Sequence, residues 1–160
     1  MNKDFEKLIE TLKDDSFLII KNWHTFSLKD IKDNKANCDK SGIYAIGSEK
    51  YGIIYIGKAK SIYERLKSHF NATEGKENAP AWKQFFDHKE LKFELKAYYF
   101  ETSNYSIENK ECINQILERV SQLIEKPLFD KMYSVKGHKS ITNEEFDQKL
   151  STLQNVIIRD

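Results

Sequence analysis

Gly42-Ile43-Tyr44-Ala45-Ile46-Gly47-Ser48-Glu49-Lys50-Tyr51-Gly52-Ile53-Ile54-Tyr55-Ile56-Gly57 decides how this chain is read. Two apolar runs, 42–46 and 53–56, enclose a polar, glycine-bounded stretch, which is the pattern of a β-hairpin. The next residues, Ser61 to Phe70, space Ile62, Leu66 and Phe70 as one face of a helix. Arg65 and His69 are four residues apart and therefore share a face of that helix. Tyr44 and Tyr55 sit on neighbouring strands that can point toward it.

Outward from this centre, residues 3–13 read as an amphipathic helix with Phe5, Leu8, Ile9 and Leu12 at helical spacing. Phe17 to Ile20 reads as a strand or a buried connector. Ser27-Leu28-Lys29-Asp30 resembles a capping box that opens a short helix, and residues 33–41 read as loop. On the C-terminal side, Asn71 to Ala79 reads as a polar loop, and Pro80 opens a helix carrying Trp82, Phe85 and Phe86. Leu91 to Phe100 alternates as a third strand. Residues 106–125 form the longest helix, with Ile107, Ile113, Ile116, Leu117, Val120, Leu123 and Ile124 turned inward and Pro127 ending it. The segment Ser134–Ser140 reads as a basic linker. Thr142-Asn143-Glu144-Glu145 is a second capping box, starting a last helix through about Val156. The expected fold is α+β: a small three-stranded antiparallel sheet flanked by helices. Its expected parts are an N-terminal arm (1–40), a central domain (41–133) and a C-terminal linker and helix (134–160).

The 160 residues suit one domain with a real core. With 26 basic and 25 acidic residues, the overall charge neither demands nor excludes a polyanionic partner. Its distribution says more: residues 41–70 hold five bases against two acids, so positive charge gathers beside the two tyrosines. An ordinary solvated helix face reads the same way on charge alone. Cys38 and Cys112 show no metal-like spacing, the N-terminus is not a signal peptide, and no apolar stretch approaches a membrane span. A reduced, cytoplasmic protein is expected.

The clustered side chains suit phosphodiester chemistry. Hydrolysis needs a base for the water, a cation on the scissile phosphate, neutralisation of the charge that develops, and stabilisation of the leaving oxygen. Tyrosine, with a pKa near 10, needs cationic neighbours to act as a base. Lys58, Arg65 and His69 are the candidates. A hard cation needs only one or two protein carboxylates. Glu118, which interrupts the apolar stripe of the long helix, is the best placed; Glu111, one face earlier, is its rival. Each residue also has a bland reading. Tyrosines are common in strands, Arg65 can pair with Glu64 or Asp87 on the surface, and His69 suits a helix end. Trp23 and Trp82 read as core or interface anchors, and His24, His88 and His138 as surface residues.

The two triplets at 42–44 and 55–57, ten residues apart, resemble the GIY-YIG nuclease superfamily, and Tyr55 to Phe70 is very close to that family's second motif. The resemblance spans residues 41 to about 133. It implies that Arg65 is the catalytic arginine, that His69 is the histidine many members carry four residues later, and that Glu118 is the metal-binding glutamate. Leu123 to Phe129 resembles the segment that follows that glutamate. Asp130 stands where many members have asparagine, as a metal ligand, a water holder or a helix cap. The family scheme implies that Tyr44 or a water-linked partner deprotonates the attacking water, and that Tyr55 positions the water or the phosphate. Arg65 neutralises the phosphoryl oxygens, and His69 is a proton relay or a phosphate ligand. Glu118 holds one Mg²⁺ (or Mn²⁺) ion that stabilises the leaving 3′-oxygen. Lys58, Lys60 and Lys67 are expected to contact phosphates. The implied function is a metal-dependent endonuclease acting on double-stranded DNA, with 5′-phosphate and 3′-hydroxyl products, either as a monomer or as a homodimer. An RNA nuclease and an inactive binding module are the alternatives.

Overall fold

Helix α1 (Lys3–Lys13) begins where the Asn2 side chain accepts the Asp4 N–H at 3.0 Å, and buries Leu8. The computed structural model describes residues 2–89, 94–133 and 139–157. After α1, a helical turn α2 (Asp15–Leu18) and a 3₁₀ turn (Ile20–Asn22) carry Phe17 and Ile20 into the core. The apolar run at 17–20 is therefore a buried connector. Strand β1 (His24–Ser27) follows, then 3₁₀ turns (Leu28–Asn34) and helix α3 (Lys35–Cys38). Ser27 makes no capping hydrogen bond, so the box expected at 27–30 does not form.

The hairpin of β2 (Gly42–Ser48) and β3 (Gly52–Ala59) forms where the sequence places it. Ser61 then caps α4 (Ile62–Thr73), its hydroxyl accepting the Glu64 N–H at 3.2 Å. The helix runs three residues into the stretch expected to be loop. After it come α5 (Pro80–Lys89), strand β4 (Lys96–Glu101), α6 (Ile107–Glu125), α7 (Leu128–Met132) and α8 (Asn143–Ile157). The first part of the expected strand at 91–100 and most of the basic linker at 134–140 lie outside the described residues. The box at 142–145 is reciprocal: Thr142 Oγ1 accepts the Glu145 N–H (3.1 Å), and Glu145 Oε2 accepts the Thr142 N–H (3.3 Å).

The sheet corrects the expected strand count. It has four antiparallel strands in the order β1-β4-β2-β3. The missed strand, β1, is four residues long, and its outer half is exposed. Such a segment has no periodicity of its own to read; its pairing with β4, His24 opposite Tyr99 through Ser27 opposite Lys96, makes it a strand.

The two faces of the sheet divide the core. Tyr44, Ile46, Ile54 and Tyr55 pack on the side of α4, α5, α7 and α8. Ile43, Ala45 and Ile56 pack on the side of α1 and α6. A bulge between Ile46 and Gly47 puts Ile54 outside the ladder, so it shares a face with its neighbour Tyr55. Fully buried residues such as Ile43, Leu66, Phe85 and Phe146 each stabilise the fold by about 1.5–3 kcal/mol.

Helix α6 also departs from expectation. Ile113 and Leu117 are buried, but Ile107, Ile116, Leu123 and Ile124 are exposed, while Asn114 and Ser121 are inside. The inward face is polar because it meets polar partners: Asn114 accepts from Thr102 Oγ1 at 2.6 Å and donates to Ser41 Oγ at 2.9 Å. The helix ends at Lys126, which takes the left-handed conformation at φ 47° just before Pro127. That turn swings α7 back against β3.

Candidate active site

Register brings the two tyrosines together. Tyr44 pairs with Gly57 and Ile46 with Tyr55, so both phenols point to the α4 face, their rings 6.1 Å apart. Gly57 is glycine for a reason of space. A Cβ there would lie 2.5 Å from the Tyr44 hydroxyl and 2.7 Å from Cζ. The Tyr44 ring leans across that vacancy and is wholly buried.

Helix α4 supplies the other half. His69 Nε2 is 2.8 Å from the Tyr44 hydroxyl, and Arg65, one turn earlier, lies against the same hydroxyl. The half-buried imidazole is flanked by Tyr44 (5.6 Å between ring centres), Tyr55 (4.8 Å) and Trp82 (4.5 Å). Burial among these rings, with the Arg65 charge adding to it, pushes the His69 pKa down to about 3, so the ring is neutral in neutral solution. Burial, reinforced by Tyr55, holds the Tyr44 phenol well above the usual tyrosine range against the pull of Arg65. Burial raises Tyr55 as well. Arg65 and the Tyr44 hydroxyl oppose that rise, and Glu118 and Asp130 add to it. The cation beside the phenols is thus Arg65.

Glu118 reaches the site from α6, half-buried beside β3. Burial raises its carboxyl pKa, and the Lys58 charge and backbone N–H oppose the rise, while Glu111 and Asp130 add to it. Glu111 itself is exposed and ion-paired to the Lys58 ammonium, which holds its carboxyl below the usual range. Lys58, Lys60, Ser61, Glu64, Arg65 and Glu111 line an open cleft of about 450 Å³. Lys67 lies elsewhere, 5.6 Å above the Tyr63 ring with Lys35 nearby on the same ring. Asp130 on α7 is half-buried, within electrostatic reach of both Tyr55 and Glu118.

Residues 40–112 match the family model of the GIY-YIG catalytic domain. The match supports membership of the GIY-YIG nuclease superfamily. No curated protein matches it at a significant level. GIY-YIG enzymes are endonucleases that act on nucleic acids and generally depend on a divalent metal. The matched span holds both triplets, Arg65 and His69, and stops short of Glu118.

Among the described residues no group of three or more histidine, cysteine or acidic side chains gathers around a metal position. The donor set still fits a hard divalent cation. Glu118 is desolvated, and further carboxylates within electrostatic reach disfavour its charge. Such ions take one or two carboxylates and keep several waters.

Sequence reasoning passed over two contributors. Trp82 reads as a core or interface anchor, and it is buried in the core, yet one side of it lines the His69 pocket. Nothing in its local pattern distinguishes it from a packing tryptophan. Glu111 reads only as a rival of Glu118 for a metal; its observed partner, Lys58, is 53 residues away in sequence and has no local signal.

Proposed function

We propose that the chain is a divalent-metal-dependent endonuclease that hydrolyses DNA phosphodiester bonds to 5′-phosphate and 3′-hydroxyl ends. The observation that carries this reading is the contact of Tyr44 with a neutral His69 at 2.8 Å, with Arg65 on the same hydroxyl. A phenolate at Tyr44 is disfavoured, so a stepwise base is poorly suited. A relay is better suited: the Tyr44 oxygen takes the water's proton while its own passes to His69 Nε2. The negative charge of a bound phosphodiester raises the basicity of that imidazole when the proton must be held.

Arg65, which keeps its charge, neutralises the phosphoryl oxygens as the transition state forms. Tyr55, whose ring lies 6.1 Å from that of Tyr44, orients the water or a phosphoryl oxygen. Lys60 and Lys58 hold neighbouring phosphates along the cleft. Glu118, with Asp130 as the accessory carboxylate, would hold Mg²⁺ or Mn²⁺, which when bound supplies Lewis-acid stabilisation of the leaving 3′-oxygen.

The test is incubation of the wild-type chain, Tyr44→Phe and Glu118→Gln with plasmid DNA and with structured RNA, in Mg²⁺ or in EDTA. Mg²⁺-dependent DNA cleavage lost in both variants is the expected result. Cleavage of RNA alone would reassign the substrate. Cleavage of neither, or activity indifferent to both substitutions, would overturn the reading.

A further inference from the structure

Trp82 enters the site from α5, outside the strands and the helix that carry the tyrosines, the arginine and the histidine. Five contacts define it. Its indole N–H donates to the His69 carbonyl at 3.1 Å. Its ring lies 4.5 Å from the imidazole and meets the Tyr55 ring edge-on at 5.4 Å and 90°. Phe86 and Phe129 hold it from behind at 4.8 and 5.2 Å. A buried indole N–H needs a partner, and here that partner is the backbone of the residue whose side chain the ring covers.

We propose that Trp82 is a positioning residue for the Tyr44–His69 pair, fixing the turn of α4 that carries His69 and covering one side of its imidazole. This rests on the endonuclease reading above for its catalytic consequence, but the positioning itself is independent of substrate.

The hydrogen bond sets the place of His69 along α4, and the ring contact sets the tilt of the imidazole toward the Tyr44 hydroxyl. The charged and titratable groups that face His69 are Arg65 on its own helix, Tyr44 from β2 and Tyr55 from β3. Glu118 of α6 and Asp130 of α7 act on Tyr55 behind it, and α5 presents the uncharged indole. No carboxylate in that set touches the imidazole to favour its protonation. With that side covered the ring stays neutral and Nε2 can serve as the acceptor of a proton from Tyr44. With the cover removed, more water reaches the ring, the imidazolium is solvated, and Nε2 is occupied by a proton in mildly acidic solution.

The experiment follows the His69 imidazole by NMR through a pH titration of the full chain, in wild type, Trp82→Phe and Trp82→Ala, with His69→Asn to assign the signal. Thermal melts are recorded alongside. In wild type the His69 signal is expected to stay flat from pH 8 to 4.5. In Trp82→Ala its midpoint moves up toward the ordinary histidine value, and in Trp82→Phe, which keeps a ring and loses the N–H, it moves part of the way. In the cleavage assay, kcat at pH 6 falls about tenfold or more in Trp82→Ala with KM within about twofold, and the loss shrinks at pH 8. If Trp82→Ala does not fold, Trp82→Phe decides. A folded variant in which His69 still does not titrate, with kcat lowered equally at every pH, would overturn the proposal. Wild-type chain that cleaves no nucleic acid would refute the endonuclease reading and leave the titration to decide the positioning.

Discussion

Gly57→Ala tests the seating of the Tyr44 ring most directly. The added methyl carbon would stand 2.5 Å from the Tyr44 hydroxyl, 2.7 Å from Cζ and 3.0 Å from Cε1, whereas ordinary contact begins near 3.4 Å. The ring must retreat by about 1 Å to restore contact distance, and it is wholly buried, with Tyr55 and His69 around it. Overpacking of this kind costs about 1–3 kcal/mol, which lowers Tm by several degrees in a chain of 160 residues. The retreat also breaks the 2.8 Å contact with His69. A displacement of about 1 Å at a reacting group reduces kcat on the order of 100-fold, and KM changes little because Lys58 and Lys60 are untouched. The decisive measurement is a double-mutant cycle by thermal melting with Tyr44→Ala. Once the tyrosine is gone the methyl has room, and the same Gly57→Ala change stabilises by about 0.4–1 kcal/mol through the unfolded state. The sign reverses between backgrounds. Equal destabilisation in both, or a Gly57→Ala protein with wild-type melting and activity, would refute the argument.

His69 predicts an acid weakness. Its folded-state pKa of about 3 lies below the ordinary 6.5, so between these values the unfolded chain binds the extra proton and stability falls as pH drops. At pH 5 the loss is about 2 kcal/mol relative to pH 7. Urea titrations of His69→Gln should lack that slope, and identical slopes in the two proteins would show the ring to be solvated. Glu111→Gln releases Lys58 from its ion pair. KM for DNA should then fall severalfold at low salt, with a salt dependence steeper by roughly one phosphate contact; an unchanged KM would show that Lys58 makes no such contact. Asn114→Ala leaves the buried Thr102 hydroxyl without its acceptor and Ser41 without its donor. It should destabilise by about 1–3 kcal/mol in thermal melts, with near-normal cleavage in the cold. A melting point within one degree of wild type would contradict the inward polar face of α6.

What the sequence reveals about this chain follows the range of the forces involved. The β2–β3 hairpin, α1, the start of α4 and the cap of α8 are written in neighbouring residues, and they form where the spacing places them. Strand β1 is not, because His24-Thr25-Phe26-Ser27 becomes a strand only by meeting β4 some seventy residues later. The facing of α6 misleads for a related reason. Its apolar residues outnumber its inward positions, and Asn114 turns inside because Thr102 and Ser41 await it there. At the candidate site the spacing of Tyr44, Tyr55, Arg65 and His69 is readable. The neutrality of His69, the seat at Gly57 and the wall at Trp82 are tertiary facts that a linear pattern does not carry.

The placement of α6 along β3 has a consequence for how the chain behaves when altered. Strand β3 is the last in the sheet, and its outward backbone groups are met by α6: Gln122 donates to the Ile56 carbonyl at 3.3 Å, and Glu118 accepts the Lys58 N–H. An uncovered strand margin invites pairing with another chain. Glu118 therefore covers part of that margin as well as serving the proposed metal. Shortening it to alanine would expose one of the groups that recruit a foreign strand, and a preparation that precipitates would be mistaken for one that is merely inert. Glutamine at 118 keeps an acceptor for that N–H while removing the charge, and light scattering beside the activity measurement separates a silent enzyme from a sticky one.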